Sequence, residues 1–375
     1  MKIKSFKIVS LSFLLLLVFG FTTNPTEKKN HKQTIKVALL LDTSNSMDGL
    51  INQAKAQLWQ IVNELSKAKY GMKKPDLEIA LYEYGNASLS ISKGYIKQVL
   101  KFSDDLDLIS EKLFSLKTNG GSEYCGQVIK TSLDELSWGD DKNDLRLIFI
   151  AGNEPFTQGK INYKEAISQA KEKDVIINTL FCGNYQVGIN TKWQDGAISG
   201  GGDYMNIDQD KKVVHIVSPY DSEIIILNKK LNKTYIYYGS KGKNKLQNQA
   251  VQDKNAATLN ETVIIKRAIT KSSNLYKNSS WDLVDADRTE KVNYAKINKK
   301  NLPEFLQNKS AKELKAFVKE QAKKRKEIQE KIKNLSAKRK TYVEKKIKES
   351  AKENILENAI INAIRKQAIK KNYSW

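Results

Sequence analysis

Between residues 35 and 207, short apolar runs alternate with segments whose apolar residues recur at helical spacing, and this alternation constrains the fold more than any other feature. Strands separated by helices pair in parallel and carry the helices on both faces of the sheet. The pattern predicts strands over 35–41, 77–84, 145–150 and 175–181, a short edge strand over 96–102, and a last strand after the stop Gly200-Gly201-Gly202. That triple glycine lacks the following Lys-Ser/Thr of a phosphate loop, so it reads as a turn. Helices are predicted over 49–68, 104–116 and 163–171, with another running from Ser122 through Leu133. The fold class is therefore α/β: a doubly wound, mostly parallel sheet, followed by an α-helical C-terminal region.

The first strand ends in Asp42-Thr43-Ser44-Asn45-Ser46, a carboxylate and two hydroxyls at alternate positions. Alternate side chains of a strand share a side, so Asp42, Ser44 and Ser46 can converge above the sheet edge. Oxygen ligands alone suit a hard cation; the same residues also suit a helix cap near Met47. A second turn, Thr118-Asn119-Gly120-Gly121-Ser122-Glu123, delivers a hydroxyl and a carboxylate to the start of a helix. Ligands of open α/β sheets bind outside the carboxyl ends of the strands, where both turns fall.

The DxSxS loop, the GGS turn and the elements between them resemble the von Willebrand factor A domain, over about half the chain from Thr34 to Ile207. The resemblance implies a metal-ion-dependent adhesion site built from an Asp and two Ser of the first loop, a Thr of the second and an Asp of the third. Asp42, Ser44 and Ser46 match, and Ser122 stands at the Thr position with the same hydroxyl chemistry. The third loop departs: Ala151-Gly152-Asn153-Glu154-Pro155 places glycine where the Asp is expected. Asn153 or Glu154 could reach in instead, and Glu123 could add negative charge. The implied cofactor is a divalent cation, Mg²⁺ ahead of Ca²⁺ or Mn²⁺, with an open position that an acidic side chain of a protein partner completes.

Lys2, Lys4 and Lys7 precede an apolar run from Ile8 to Phe21, the build of a secretory signal. Residues 1–22 are read as that signal and 23–33 as a polar linker, which implies export to the periplasm or cell envelope, with a membrane tether if the signal stays uncleaved. The only cysteines, Cys125 and Cys182, are each followed by Gly. If the doubly wound topology holds, both lie toward the metal face, and an oxidising compartment makes them candidates for a disulfide; two separate buried thiols are the alternative. With only His31 and His215, a Ser-His-Asp site or histidine-ligated zinc is hard to build, and the chain reads as non-enzymatic.

Residues 34–217 are taken as the domain, 218–302 as a helical extension and 303–375 as a lysine-rich tail. A helix is predicted over 224–238, ending in Tyr235-Ile236-Tyr237-Tyr238, with a basic turn over 239–245. Residues 308–371 lack Gly and Pro, which implies long helices. Leu314, Val318, Ile328, Ile332, Leu335, Tyr342 and Val343 approximate a heptad seam, interrupted by Gln321, Arg325 and Arg339. A helical hairpin and a helix folded back on the domain both fit, with a break between Glu349 and Asn354. The net charge of +22 is concentrated here and attracts anionic partners, an envelope polymer or lipid before nucleic acid. The function expected is a non-enzymatic envelope binding or adhesion protein acting through the cation; the alternative is a periplasmic scaffold acting through its basic tail, with a degenerate metal site.

Overall fold

The computed structural model describes residues 32–207, 216–290, 292–350 and 355–375, with the backbone alone at Ser46, 48–50, 54, 56, 350 and 355–358. The signal segment, most of the linker, His31 and His215 lie outside the described residues.

The first strand, β1 (Thr34–Asp42), is buried on both sides. Ile35, Val37, Leu39 and Leu41 enter one core, while Ala38 and Leu40 enter another across the sheet. A strand covered on both faces needs a near-continuous apolar run rather than a polar alternation, and this one has it. After β1 come α1 (Asp48–Leu65), a two-residue β2 (Lys69–Tyr70), β3 (Asp76–Tyr84), β4 (Ile96–Ser103), α2 (Leu106–Phe114) and α3 (Cys125–Glu135). Next follow β5 (Leu145–Gly152), α4 (Tyr163–Glu172), β6 (Ile176–Cys182), α5 (Tyr185–Asn190), α6 (Trp193–Ser199) and β7 (Gly201–Ile207).

The sheet has six strands in the order β4-β3-β1-β5-β6-β7, all parallel except the edge strand β4, which runs antiparallel to β3. Helices α1 and α2 cover one face, whereas α3, α4 and α6 cover the other. The chain moves one way from β1 to β3 and β4, and the other way from β5 to β7. The order therefore reverses between β1 and β5, which defines the crevice where such sheets bind ligands.

The extension departs from expectation at one place. Its first helix, α7 (Asp221–Asn232), stops before the tyrosines, and Tyr235 to Tyr238 run extended instead. Asp282 explains the stop: its carboxylate accepts the Ile236 N–H at 2.8 Å, while Ile236 O accepts Leu283 N–H at 2.8 Å. The basic turn is shorter than predicted, because α8 (Gly242–Leu259) begins within it. Helices α8 and α9 (Glu261–Lys271) then lie over α2 and α1, followed by the short α10 (Leu283–Asp287).

In the tail, α11 (Glu304–Gln307) leads into α12 (Ala311–Ser350), about 60 Å long at 1.5 Å per residue, and then α13 (Ile355–Ile369) and β8 (Tyr373–Ser374). Leu314 and Val318 pack with Ile236, Leu283 and Leu306, so the seam meets the extension rather than a second long helix. Arg325, an interruption in the heptad pattern, is fully buried against Asp282 and Asp285. Ile360, Ile364 and Ala368 of α13 join the core of β1, and β8 pairs antiparallel with β2. The tail thus folds back, and Gln33–Trp375 form one unit. Among the described residues, no helix is long and apolar enough to cross a membrane.

Candidate metal centre

Three loops meet at the carboxyl end of β1. Thr43 N–H donates to Tyr84 O at 2.8 Å, and Thr43 O accepts the Asn119 N–H at 2.9 Å, tying the first loop to the end of β3 and to the second turn. The Asn86 amide adds a bond to Lys117 O at 2.9 Å and a longer one to Thr43 O. Gly85, in the left-handed region at φ +75°, makes the convergence possible: a Cβ there would stand 2.6 Å from Asp42 Oδ1 and 2.7 Å from Glu123 Cγ. Neither Asn86 nor Gly85 stood out in the sequence, although a glycine immediately after a predicted strand was the available signal.

Asp42, Ser44 and Glu123 are buried together. Asp42 Oδ1 accepts the Ser44 N–H at 2.7 Å, and the carboxyls of Asp42 and Glu123 lie close to each other and to the Ser44 side chain. Glu123 is held from behind, because its N–H donates to Gln158 Oε1 at 2.8 Å and its carboxylate accepts the Glu154 N–H. Burial, and then the neighbouring Glu123, push the Asp42 carboxyl well above its ordinary range. Burial also raises Glu123, with the Glu154 charge adding to the effect. Two acids brought this close in a dry pocket hold a proton more readily than two negative charges.

Ser122 is half-buried beside Glu123 in the second turn. The side chain of Ser46 lies outside the described residues. In the third loop Asn153 is half-buried and Glu154 exposed, and the carbonyl of Glu154 accepts the Trp193 indole N–H at 2.8 Å. Gly152 has no room for a larger residue: a Cβ would lie 2.6 Å from the Tyr84 hydroxyl and 3.0 Å from the Trp193 ring. The space where a third-loop carboxylate is expected is filled by Tyr84, which donates to Ala151 O at 2.9 Å. Glu123 supplies the second carboxylate from the opposite loop.

The disulfide expectation is corrected. Cys125 and Cys182 are both free and buried. Cys125 packs in the core beneath α3 with its sulfur 3.7 Å from the Tyr84 hydroxyl, whereas Cys182 belongs to the core on the other face of the sheet. Burial raises both thiols above their ordinary range.

The fit to a cation can be judged from two atoms. Asp42 Oδ2 and Glu123 Oε2 are buried and have no hydrogen-bond partner. Buried carboxylate oxygens of this kind are costly unless something positive meets them. Among the described residues no three His, Cys, Asp or Glu cluster as a ligand set, so the donors here are two carboxylates with hydroxyls, a set for a hard divalent cation.

No protein family matches this chain by sequence, and no curated protein does. Solved structures do. The SpRpn10 VWA domain is 14% identical, with 48% of this chain and 90% of that one aligned at a TM-score of 0.37. The pilus adhesin SpaC from Lactobacillus rhamnosus GG is 14% identical over 48% of this chain and 28% of its own, at 0.35. Proximal thread matrix protein 1 from the mussel byssus, in a form with a zinc-occupied MIDAS motif, is 11% identical over 48% and 43%, at 0.34.

Proposed function

We propose that the sheet domain of this protein is a von Willebrand factor A-type binding module, which holds a divalent cation at Asp42, Ser44, Ser46, Ser122 and Glu123 and uses it to engage an acidic side chain of a protein partner. The observation that carries this reading is the pair of unpartnered buried oxygens, Asp42 Oδ2 and Glu123 Oε2, at the point where the strand order reverses. A cation there replaces the shared proton and keeps residual positive charge, because most of its ligands are neutral hydroxyls. Mg²⁺ fits first, with Ca²⁺ and Mn²⁺ as alternatives. The secretory-type N-terminus supports a place in the envelope.

Calorimetry on chelator-stripped protein tests this directly. Saturable Mg²⁺, Ca²⁺ or Mn²⁺ binding is expected, with proton release that scales with the buffer's ionisation heat, and its loss in Asp42→Ala. Absence of binding in the unmodified chain overturns the proposal.

A second reading rests on α12. Arg325 and Arg339 turn inward to Asp282 and Asp221, while Lys319, Lys323, Lys326 and Lys333 face solvent. This lysine-rich face, with Glu320, Glu327 and Glu330 interspersed, suits an anionic envelope polymer or lipid, and salt-dependent retention on anionic vesicles would test it.

A further inference from the structure

A cavity of about 600 Å³ lies between α1, α9, α12 and α13, away from the candidate metal centre. Its volume falls within the roughly 300 to 1,000 Å³ of small-molecule sites. Among the described residues its lining is uneven in charge: Lys67, Lys266, Arg339, Lys340 and Arg365 stand against two carboxylates, Glu64 and Glu344. Asp221, the partner of Arg339, adds a third carboxylate, and the surplus stays positive. A surplus of this sign in a partly enclosed space draws an anion and repels a cation.

Two of these cations still have hydrogen bonds to give. Arg365 is held through its Nε–H, which donates to Glu64 Oε1 at 2.5 Å, and Arg339 through its Nε–H, which donates to Asp221 Oδ1 at 2.8 Å. Among the described residues the terminal nitrogens of both guanidiniums have no hydrogen-bond partner, and, unlike the sealed Nη1 of Arg267, they reach open space. A guanidinium anchored in this way presents its other two nitrogens as a fork that matches a carboxylate or a phosphate. Lys67 meets Glu64 as well, at 3.1 Å, so one carboxylate answers two cations.

The cavity also has an aliphatic side. Leu259, Ile269, Val343, Ile347 and Ile361 come from α8, α9, α12 and α13, and each is only half-buried although it lies among packed helices. Covering such side chains is favourable by about 25 cal/mol per Å² of apolar surface. No Phe, Tyr or Trp stands among the described lining residues, so a nucleobase or other flat ring finds no face to stack on, whereas a hydrocarbon chain needs none.

From this juxtaposition of two open guanidinium forks with a half-buried aliphatic side, we infer that the cavity binds a single acyl chain with an oxyanion head, a carboxylate or a phosphate. The forks of Arg339 and Arg365 receive the head, and the aliphatic side chains cover the chain. An inorganic anion would leave those side chains wet, and a neutral hydrocarbon would leave the forks unused. An anionic amphiphile satisfies both.

The test is titration calorimetry of the full chain with dodecanoate, dodecyl phosphate, dodecyl maltoside and dodecyltrimethylammonium, each below its critical micelle concentration, in chelator so that the cation site plays no part. Saturable binding of one dodecanoate or dodecyl phosphate per chain is expected, and the tighter of the two identifies the head. The neutral and cationic amphiphiles should bind roughly tenfold more weakly or not at all. Arg339→Lys combined with Arg365→Lys keeps both charges beside their carboxylates and removes the forks; it should weaken the anion roughly tenfold with little change in melting temperature. Val343→Trp fills the aliphatic side and should abolish binding. Failure of both anions to bind, or equal binding of all four heads, overturns the inference. So does anion binding that survives either the double variant or Val343→Trp, which would mean adsorption on the exposed lysines of α12. A positive or negative result leaves the cation proposal where it stands, since the two sites share no residue.

Discussion

Two buried groups of acids in this protein are built to opposite ends. Where the extension packs on α2, Asp107 and Asp253 meet Arg267 at 2.7 and 2.6 Å, and Asp253 also meets Lys271 at 2.9 Å, with both cations fully buried. Burial alone would raise Asp253, but the Lys271 and Arg267 charges overturn that and hold it below the ordinary carboxylate range. At the end of β1, Asp42 and Glu123 are as well buried, yet they face each other and, among the described residues, no cation, and both are raised. The first group has its countercharges and joins α2, α8 and α9; the second has none among the described residues, and two of its oxygens lack a hydrogen-bond partner. Burial is common to both, so the missing countercharge is what separates a structural lock from a receptive site.

The largest effect should come from breaking the lock. Arg267→Met leaves two buried carboxylates short of their partner, and removal of one member of such a network costs about 3 to 5 kcal/mol. Urea unfolding should show the midpoint fall accordingly. Asp42→Asn in chelator removes a charge from a pair that repels, so its midpoint should hold or rise. A loss in Asp42→Asn as large as in Arg267→Met would erase the contrast.

Next in size is the response to metal. A ligand at a hundred times its dissociation constant stabilises the folded state by about 2.7 kcal/mol. Saturating Mg²⁺ should raise the melting temperature of the wild type and leave Asp42→Ala unmoved, with Arg267→Met showing the full increment from its lower base. An equal response in all three would place the ion elsewhere.

The sheet was legible because its signal is local. The run from Ile35 to Leu41 must be buried on both faces, and the acidic start of the helix predicted over 104–116 caps it, Asp105 accepting Leu108 N–H at 3.0 Å. Asp42 and Ser44 were readable as a pair because two positions along one strand end share a side. What decides the rest is long-range. Nothing near Glu123 in sequence says that it meets Asp42, and nothing near Gly152 says that Tyr84 fills its space. Arg325 looked like a flaw in a heptad because the seam was compared with a partner helix; its partners, Asp282 and Asp285, lie about forty residues upstream in a segment with no periodicity to read. The end of α7 was misplaced for the same reason, since a carboxylate beyond the next helices extracts Ile236 from it. The cysteines share a neighbourhood in the topology but sit on opposite faces, a distinction that chain order does not record.

A smaller effect follows from the signs of the shifts. Asp42 and Glu123 are raised in the fold, so as pH rises past about 4 the unfolded chain ionises first and folded stability declines until the raised values are passed. Asp253 is depressed, so its contribution is complete above about 4 and is lost only on acidification below that. In chelator, stability should therefore fall as pH rises above about 4.5, each unit of upward shift being worth about 1.4 kcal/mol. The slope should flatten with saturating Mg²⁺ and in Asp42→Asn. A flat profile in the metal-free wild type would mean that the two acids do not share a proton.

The smallest effect concerns why the candidate metal centre has the carboxylates it has. Gly152→Ala forces a Cβ toward the Tyr84 hydroxyl at 2.6 Å, an overpacking cost of about 1 to 3 kcal/mol. Tyr84→Phe deletes that hydroxyl and its bond to Ala151 O, a loss of about 1 kcal/mol. If the hydroxyl is what keeps position 152 small, the double variant should cost less than the sum by about 0.5 kcal/mol or more, the range of coupling between groups in contact. The nearest remaining obstacle would then be the Trp193 ring at 3.0 Å, which can yield by a small rotation. Strict additivity in urea unfolding would show that the backbone, not Tyr84, excludes a side chain there. Coupling would instead show that the tyrosine and a third-loop carboxylate compete for one space, and that placing the second acid on Glu123 follows from that competition.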